Sequence, residues 1–221
     1  MSERERLSLN ASRLCTQLAY HTEALMSAHP SPYGYYDPAP STPLKRPICV
    51  IGFMGSESHM ITALCSSLTG QPLIDLDDWV EHEAGVSLRE LYKTRGASAW
   101  RALELKGLKR ALSASRPSMI ALGDGALLPS EARTLQRSSA ALVYIKRPLT
   151  ALYEGLLKER SAKPSRYPYW SKRAPQGLDE LEPLLSARSI AYEQAELVLD
   201  AGYDVPLKVA QRLADRLAQL A

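Results

Sequence analysis

Long apolar runs are missing from this 221-residue sequence. None approaches the ~20 residues that a membrane-spanning helix needs, so no membrane association is expected. The opening stretch, "MSERERLSLN", has no apolar core of the kind a secretory signal carries, and its acids are of the kind a transit peptide avoids. A cytoplasmic location is the expectation. Cysteine is scarce. Cys15, Cys49 and Cys65 are widely spaced and form no metal-ligand pattern, and an odd count argues against a disulfide framework. Each reads as a small apolar residue. Excess charge is small too. A formal net charge of +3 gives no electrostatic footprint for nucleic acid. What is present is a hydrophobic fraction of 45%, ordinary for a globular protein, on a chain long enough for one medium domain and an appended segment.

The appended segment is residues 1–46. "LSLNASRLCTQLAYHTEALMSA" spaces Leu7, Leu14, Leu18 and Leu25 near helical periodicity. "HPSPYGYYDPAPSTPLKRP" follows, with six prolines and Gly34, and reads as an extended arm or tether. Its tyrosines, Tyr33, Tyr35 and Tyr36, suit docking on a protein partner.

Residues 47–221 differ in character. "ICVIGF", "PLIDL", "SMIAL", "AALVYIKRP" and "ELVLDA" read as strands. Between them lie helical stretches: "HMITALCSSLTG" with Gly70 as its C-cap, "SLRELYKTRGASAWRALELKGLKRAL" broken near Gly96, and "SEARTLQRS" with Ser130 as its N-cap. "LTALYEGLLKER", "LDELEPLLSARSIAYEQA" and "PLKVAQRLADRLAQL" complete the series. Continuous apolar strands alternating with helices predict a short parallel sheet covered on both faces, a three-layer α/β/α domain. Ligands bind beyond the carboxyl ends of such strands. "GFMGSESHM", "DLDD" and "GDG" all follow strands and should meet at one rim.

"GFMGSESHM" has the setting of a phosphate-binding loop, whose pattern is G-x-x-x-x-G-K-[ST]. Gly52 opens it, and Gly55 and Ser56 continue it. Glu57, Ser58 and His59 then stand where glycine, lysine and Ser or Thr belong. Glu57 brings a negative charge where phosphate would lie. Ser58 has no charge. His59 offers nitrogen, which Mg²⁺ disfavours.

The order "GFMG", "IDLDDWVEHEAGVSLREL", "GASAWRALE", "GDGALL", "VYIKRP" and "ARSIAYEQAELVLD" resembles the shikimate kinase family, a branch of the P-loop kinases, over about residues 47–220. The resemblance implies a P-loop kinase fold, and transfer of phosphate from Mg-ATP to the hydroxyl of shikimate in aromatic amino acid biosynthesis. It implies a catalytic role for Asp75, near metal and reacting hydroxyl, and acceptor hydroxyl binding for Asp77. It implies acceptor-carboxylate binding for Arg101 and Arg188, whose guanidinium forks suit that group. Gly123, Asp124 and Gly125 match the family's triple glycine, with an acid in the middle. Ala97 stands where the family has an acid. Lys163, before Pro164, stands where family lids carry an arginine that reaches the transferred phosphate, and Arg160 and Arg166 flank it.

His82 reads as a residue on an exposed helix face, and Trp79 and Trp100 as packing residues. No metal site is assigned from the sequence. Mg²⁺ and ATP are cofactors only if the loop works. Three functions follow. One is a shikimate-kinase-like pseudoenzyme with a pocket for shikimate or a similar hydroxylated carboxylic acid. The second is an active kinase with an unorthodox loop. The third is a structural or interaction descendant that binds neither ligand.

Overall fold

The structure, a computed structural model, describes residues 43–162 and 175–220. The expected N-terminal helix, most of the arm, Lys163 and Arg166 lie outside the described residues.

The chain runs β1 (Ile48–Gly52), α1 (Ser58–Thr69), β2 (Leu73–Asp75), α2 (Leu76–Ala84), α3 (Leu88–Leu112) and β3 (Met119–Ala121). It continues with α4 (Ser130–Ser139), β4 (Ala141–Lys146), α5 (Leu149–Ala162), a 3₁₀ turn (Leu178–Glu180), α6 (Glu182–Tyr192), β5 (Leu197–Asp200) and α7 (Pro206–Leu220). The five strands form one parallel sheet in the order β2-β3-β1-β4-β5. β1 is central, and all five of its residues are buried. Val50 pairs with Ala121 on one side and Val143 on the other.

Alternate residues of each strand point to opposite faces. Ile48, Val50, Met119, Val143 and Ile145 pack with Ile61 and Cys65 of α1 and Val209, Leu213 and Leu217 of α7. Cys49, Ile51, Ile120, Leu142 and Tyr144 pack on the other face with Leu108 of α3, Ala132 of α4, Leu152 and Leu156 of α5, and Tyr192 of α6. Burying both faces explains why the strands are apolar throughout. A separate cluster of Trp79, Val80, Leu88, Leu91 and Trp100 joins α2 to α3. The tryptophans therefore pack as expected, and His82 is exposed.

Gly70 caps α1, donating its N–H to Ser66 O. The break in α3 falls at Gly96, with φ 77 and ψ 177, a conformation essentially confined to glycine. Two local expectations are corrected. Ser130 is the first residue of α4 rather than its cap. Pro129 takes the cap position at φ −67, and no side chain caps the helix there. The stretch beginning at Leu178 is a 3₁₀ turn followed by a helix. A proline in the first turn of α6 has no N–H to continue an earlier helix. Among the described residues no helix is long and apolar enough to cross a membrane.

Candidate functional site

β1 ends at Gly52, and the chain loops back into α1. Ser56 N donates to Phe53 O at 2.9 Å, closing the turn. The Ser56 side chain folds into the loop, where Oγ accepts from Ser58 N at 3.3 Å. A Cβ on Gly52 would sit 2.8 Å from Ser56 Cβ, so glycine is needed for that closure. Gly55, at φ +78, presses on α5. A Cβ there would lie 2.5 Å from Leu156 N.

Glu57 follows at φ 59 and ψ 23. It is the one non-glycine residue with positive φ among the described residues. The loop thus keeps a left-handed turn at the glycine position of the phosphate-loop pattern, at a cost of roughly 1–2 kcal/mol for a residue with a Cβ. Glu57 Oε2 accepts from Arg147 Nη2 at 3.4 Å, and Oε1 from Lys158 Nζ at 3.1 Å. Arg147, just beyond β4, is 7% exposed. It also donates to Ser56 O at 3.1 Å, Gly202 O at 3.2 Å and Asp204 O at 2.9 Å. One guanidinium therefore ties the loop to the turn after β5. An internal carboxylate sits on two cations at the loop's mouth.

β2 ends at Asp75, where α2 begins. Asp75 Oδ1 accepts from Asp77 N at 3.0 Å and Asp78 N at 3.3 Å, capping that helix. Its second oxygen faces His59 Nδ1 at 2.9 Å. His59 Nε2 lies 3.5 Å from Asp77 Oδ2. The first turn of α1 thus delivers an imidazole between the two carboxylates of "DLD".

The rest of the rim is built from α3, the loop after β3, and α6. Arg101 lies over the Trp100 ring at 4.5 Å and is paired with Glu104 one turn along α3. Glu104 is 1% exposed, and burial raises its carboxyl to about 7, Asp77 and Asp124 adding to the rise against the pull of Arg101. A Cβ on Gly123 would lie 2.6 Å from Glu104 Oε1 and 2.9 Å from Asp77 Oδ1. Gly125 leaves room for the Arg101 guanidinium in the same way. Arg188 lies 5.4 Å from the Phe53 ring centre and is paired with Asp124. Tyr192, one turn further along α6, donates to Asp124 O. Asp124 is therefore held twice by α6.

A cleft of about 40 Å³, open to solvent, lies between the loop and part of this rim. The loop from Gly52 to His59 forms one wall, and Asp77, Trp100, Gly123, Asp124 and Glu159 complete the lining. A second cleft, of about 220 Å³, runs along Arg147, Lys158, Tyr203 and Pro206. Gly55 and Glu57 line both.

The rim thus brings together Asp75, Asp77, Arg101, Gly123, Asp124, Gly125, Arg188 and the loop from Gly52 to His59. Arg160 lies in the last turn of α5. Both arginines expected to grip an acceptor carboxylate already hold one from the chain itself, which the sequence reading did not foresee. It also passed over Glu104, Arg147 and Lys158. "AWRALE" holds Arg101 and Glu104 three apart on a helix, a spacing that pairs charges, and this signal was available. Nothing local links Arg147 and Lys158 to Glu57 across about 90 and 100 residues.

The Mg²⁺ implied by the resemblance does not fit the residues present. Mg²⁺ takes hard oxygen ligands in near-octahedral geometry. The hydroxyl position holds an imidazole between the two carboxylates, a nitrogen donor that Mg²⁺ disfavours.

A family model described as shikimate kinase matches residues 54–218. Shikimate kinase from Cereibacter sphaeroides is 26% identical over 175 residues, covering 79% of this chain and 84% of the relative. Shikimate kinase from Salinibacter ruber is 28% identical over 161 residues, covering 72% and 78%. Among solved structures, the Acinetobacter baumannii shikimate kinase in complex with shikimate superposes with a TM-score of 0.69 at 19% identity, covering 79% of this chain and 93% of that one. The Bacteroides thetaiotaomicron shikimate kinase gives 0.67 at 24% identity, covering 78% and 98%. At those identities the superpositions speak for the P-loop kinase fold alone. With a family match over residues 54–218, which holds four of the five strands and the rim from Met54 onward, the chain belongs to the shikimate kinase family.

Proposed function

We propose that this chain is a shikimate-kinase-family protein impaired in ATP-dependent phosphoryl transfer. It keeps a cleft for a small hydroxylated acid, shikimate or a relative, beside Asp77, Arg101 and Arg188. The observation that carries this reading is Glu57, whose carboxylate sits on Arg147 and Lys158 at the loop's mouth. Phosphoryl transfer depends mostly on positioning and on charge aimed at the transferred group. In this loop the glycine place holds an anion, the lysine place holds Ser58, and Ser56 Oγ takes the N–H of Ser58. Glu57 also takes up Arg147 and Lys158, two cations that could otherwise face a phosphate. Such a protein would serve as a sensor or a partner-binding module.

On the acceptor side, Asp77 and Asp124 line the cleft, and Arg101 and Arg188 stand behind it, paired with Glu104 and Asp124. Their internal partners must yield before an incoming carboxylate can take both guanidinium groups. The pairing of Arg188 with Asp124 favours a second reading, in which the cleft takes no carboxylate and the domain acts through its surface.

The test is a turnover assay with the full chain, Mg-ATP and shikimate, beside a calorimetric titration with shikimate alone. The first reading expects binding of shikimate without turnover, and the second expects silence in both. Turnover at a rate typical of the family would overturn the two together and support an active kinase with an unorthodox loop.

A further inference from the structure

We propose that His59, Asp75 and Asp77 form a site for a divalent transition ion of the zinc class, bound without nucleotide. The proposal does not depend on the loss of phosphoryl transfer. It rests on what the imidazole does between the two carboxylates.

Each of the three residues offers a donor atom, and these atoms lie within 4.8 Å of one another. His59 Nδ1 is 2.9 Å from Asp75 Oδ2, and Nε2 is 3.5 Å from Asp77 Oδ2. One ring cannot turn both nitrogens to the same ion, so the roles divide. With Nδ1–H donating to Asp75, Nε2 carries its lone pair toward Asp77. Two donors separated by the Nε2–Oδ2 distance, each at a bond length of ~2.0–2.1 Å, subtend a near-tetrahedral angle at one ion. Asp75 then fixes the tautomer and the ring orientation, the part a carboxylate plays behind a metal-bound histidine. The ion's remaining positions face the cleft and take water or a ligand's oxygen.

The site is stiff. Asp75 cannot swing away, because its other oxygen caps α2. Asp77 sits in the first turn of that helix, and His59 in the first turn of α1. All three side chains are less than a fifth exposed.

The donor chemistry selects the ion. Imidazole with carboxylate suits zinc and its neighbours, whereas Mg²⁺ prefers oxygen and keeps its water. Competing thiolates are absent among the described residues, since burial pushes Cys49 and Cys65 to about 12. His82 is exposed on α2 and serves as a control.

The experiment is calorimetric titration of ZnCl₂, and separately MgCl₂, into tag-free, chelator-stripped full chain. Its variants are His59→Ala, His59→Gln, Asp77→Asn, Asp75→Asn and His82→Ala, each checked for its thermal unfolding. The expected result is one micromolar zinc site with no matching Mg²⁺ heat. Both His59 variants and Asp77→Asn should weaken it at least ~100-fold, Asp75→Asn ~10–100-fold, and His82→Ala not at all. His59→Gln keeps a group that can hydrogen-bond Asp75, so its loss of zinc cannot be put down to misfolding if it melts like the parent. The proposal is overturned by no zinc binding up to ~1 mM, by zinc binding that His59→Gln leaves unchanged, or by Mg²⁺ binding as tightly as zinc.

Discussion

The phosphate loop and the acceptor rim answer their cations in the same way but by different means. In both, a carboxylate of the chain that lines a cleft is held by a buried guanidinium: Glu57 by Arg147, and Asp124 by Arg188. At the loop, the carboxylate belongs to a turn with positive φ, and its partner Arg147 is also bound to three backbone carbonyls. Three successive positions of the phosphate-loop pattern have changed there. At the rim, one residue between two glycines supplies the anion, and Gly123 and Gly125 leave room for Asp77, Glu104 and Arg101. Matching the phosphate-loop pattern would take three changes, at Glu57, Ser58 and His59. The acceptor side is one carboxylate away from an open arginine.

Breaking the loop's anchor should have the largest effect. Arg147→Leu leaves Glu57 without its buried cation and frees three carbonyls. A loss of about 4 kcal/mol in urea unfolding is expected. A loss under ~1 kcal/mol would show that the clamp is ornamental.

The comparison sharpens at the rim. Asp124→Gly opens Arg188 and restores the family's triple glycine. Without ligand it should lower stability by roughly 3 kcal/mol, because a buried cation loses its partner. Shikimate affinity should rise roughly 10–100-fold by calorimetry, the worth of a charge-assisted pair. Unchanged affinity would mean that Asp124 is not what guards the arginine.

Glu104 gives a pH signature. Its carboxyl is raised to about 7 by burial, so the folded chain keeps a proton that the unfolded chain has released. Stability should therefore fall as pH rises from the ordinary carboxylate range to about 7, by at most roughly 1.4 kcal/mol per unit, and level off above. Glu104→Gln should flatten that slope. A slope that persists in the variant assigns it to another group.

The smallest effect belongs to the exposed half of the Glu57 pair. Lys158 is 73% exposed in its side chain, and Lys158→Ala should cost about 0.5 kcal/mol or less. A larger loss would make the two cations equal partners.

Much of this was legible in the sequence. The alternation of apolar strands and helices gave the three-layer sheet, because burial on both faces leaves a pattern that local reading can see. The break at Gly96 and the cap at Gly70 were legible because each needs a backbone that glycine supplies. The convergence of "GFMGSESHM", "DLDD" and "GDG" followed from the rule that strand ends share a rim. The pairings were not legible. Glu57 with Arg147, and Asp124 with Arg188, join residues about 90 and 64 apart, and no periodicity links them. Losing the lysine and hydroxyl places was visible. That His59 would turn between Asp75 and Asp77 was not, since it depends on how α1 leaves the loop. Ser130 and the turn at Leu178 were misjudged at helix ends, where a single proline decides the boundary.

The most direct test of the donor side is a calorimetric titration of Mg-ATP into the full chain and into the triple variant Glu57→Gly, Ser58→Lys, His59→Ser. The account predicts no binding to the parent up to ~1 mM and measurable binding to the variant, as an anion is removed and a cation returned to the loop. Micromolar Mg-ATP binding by the parent would contradict it.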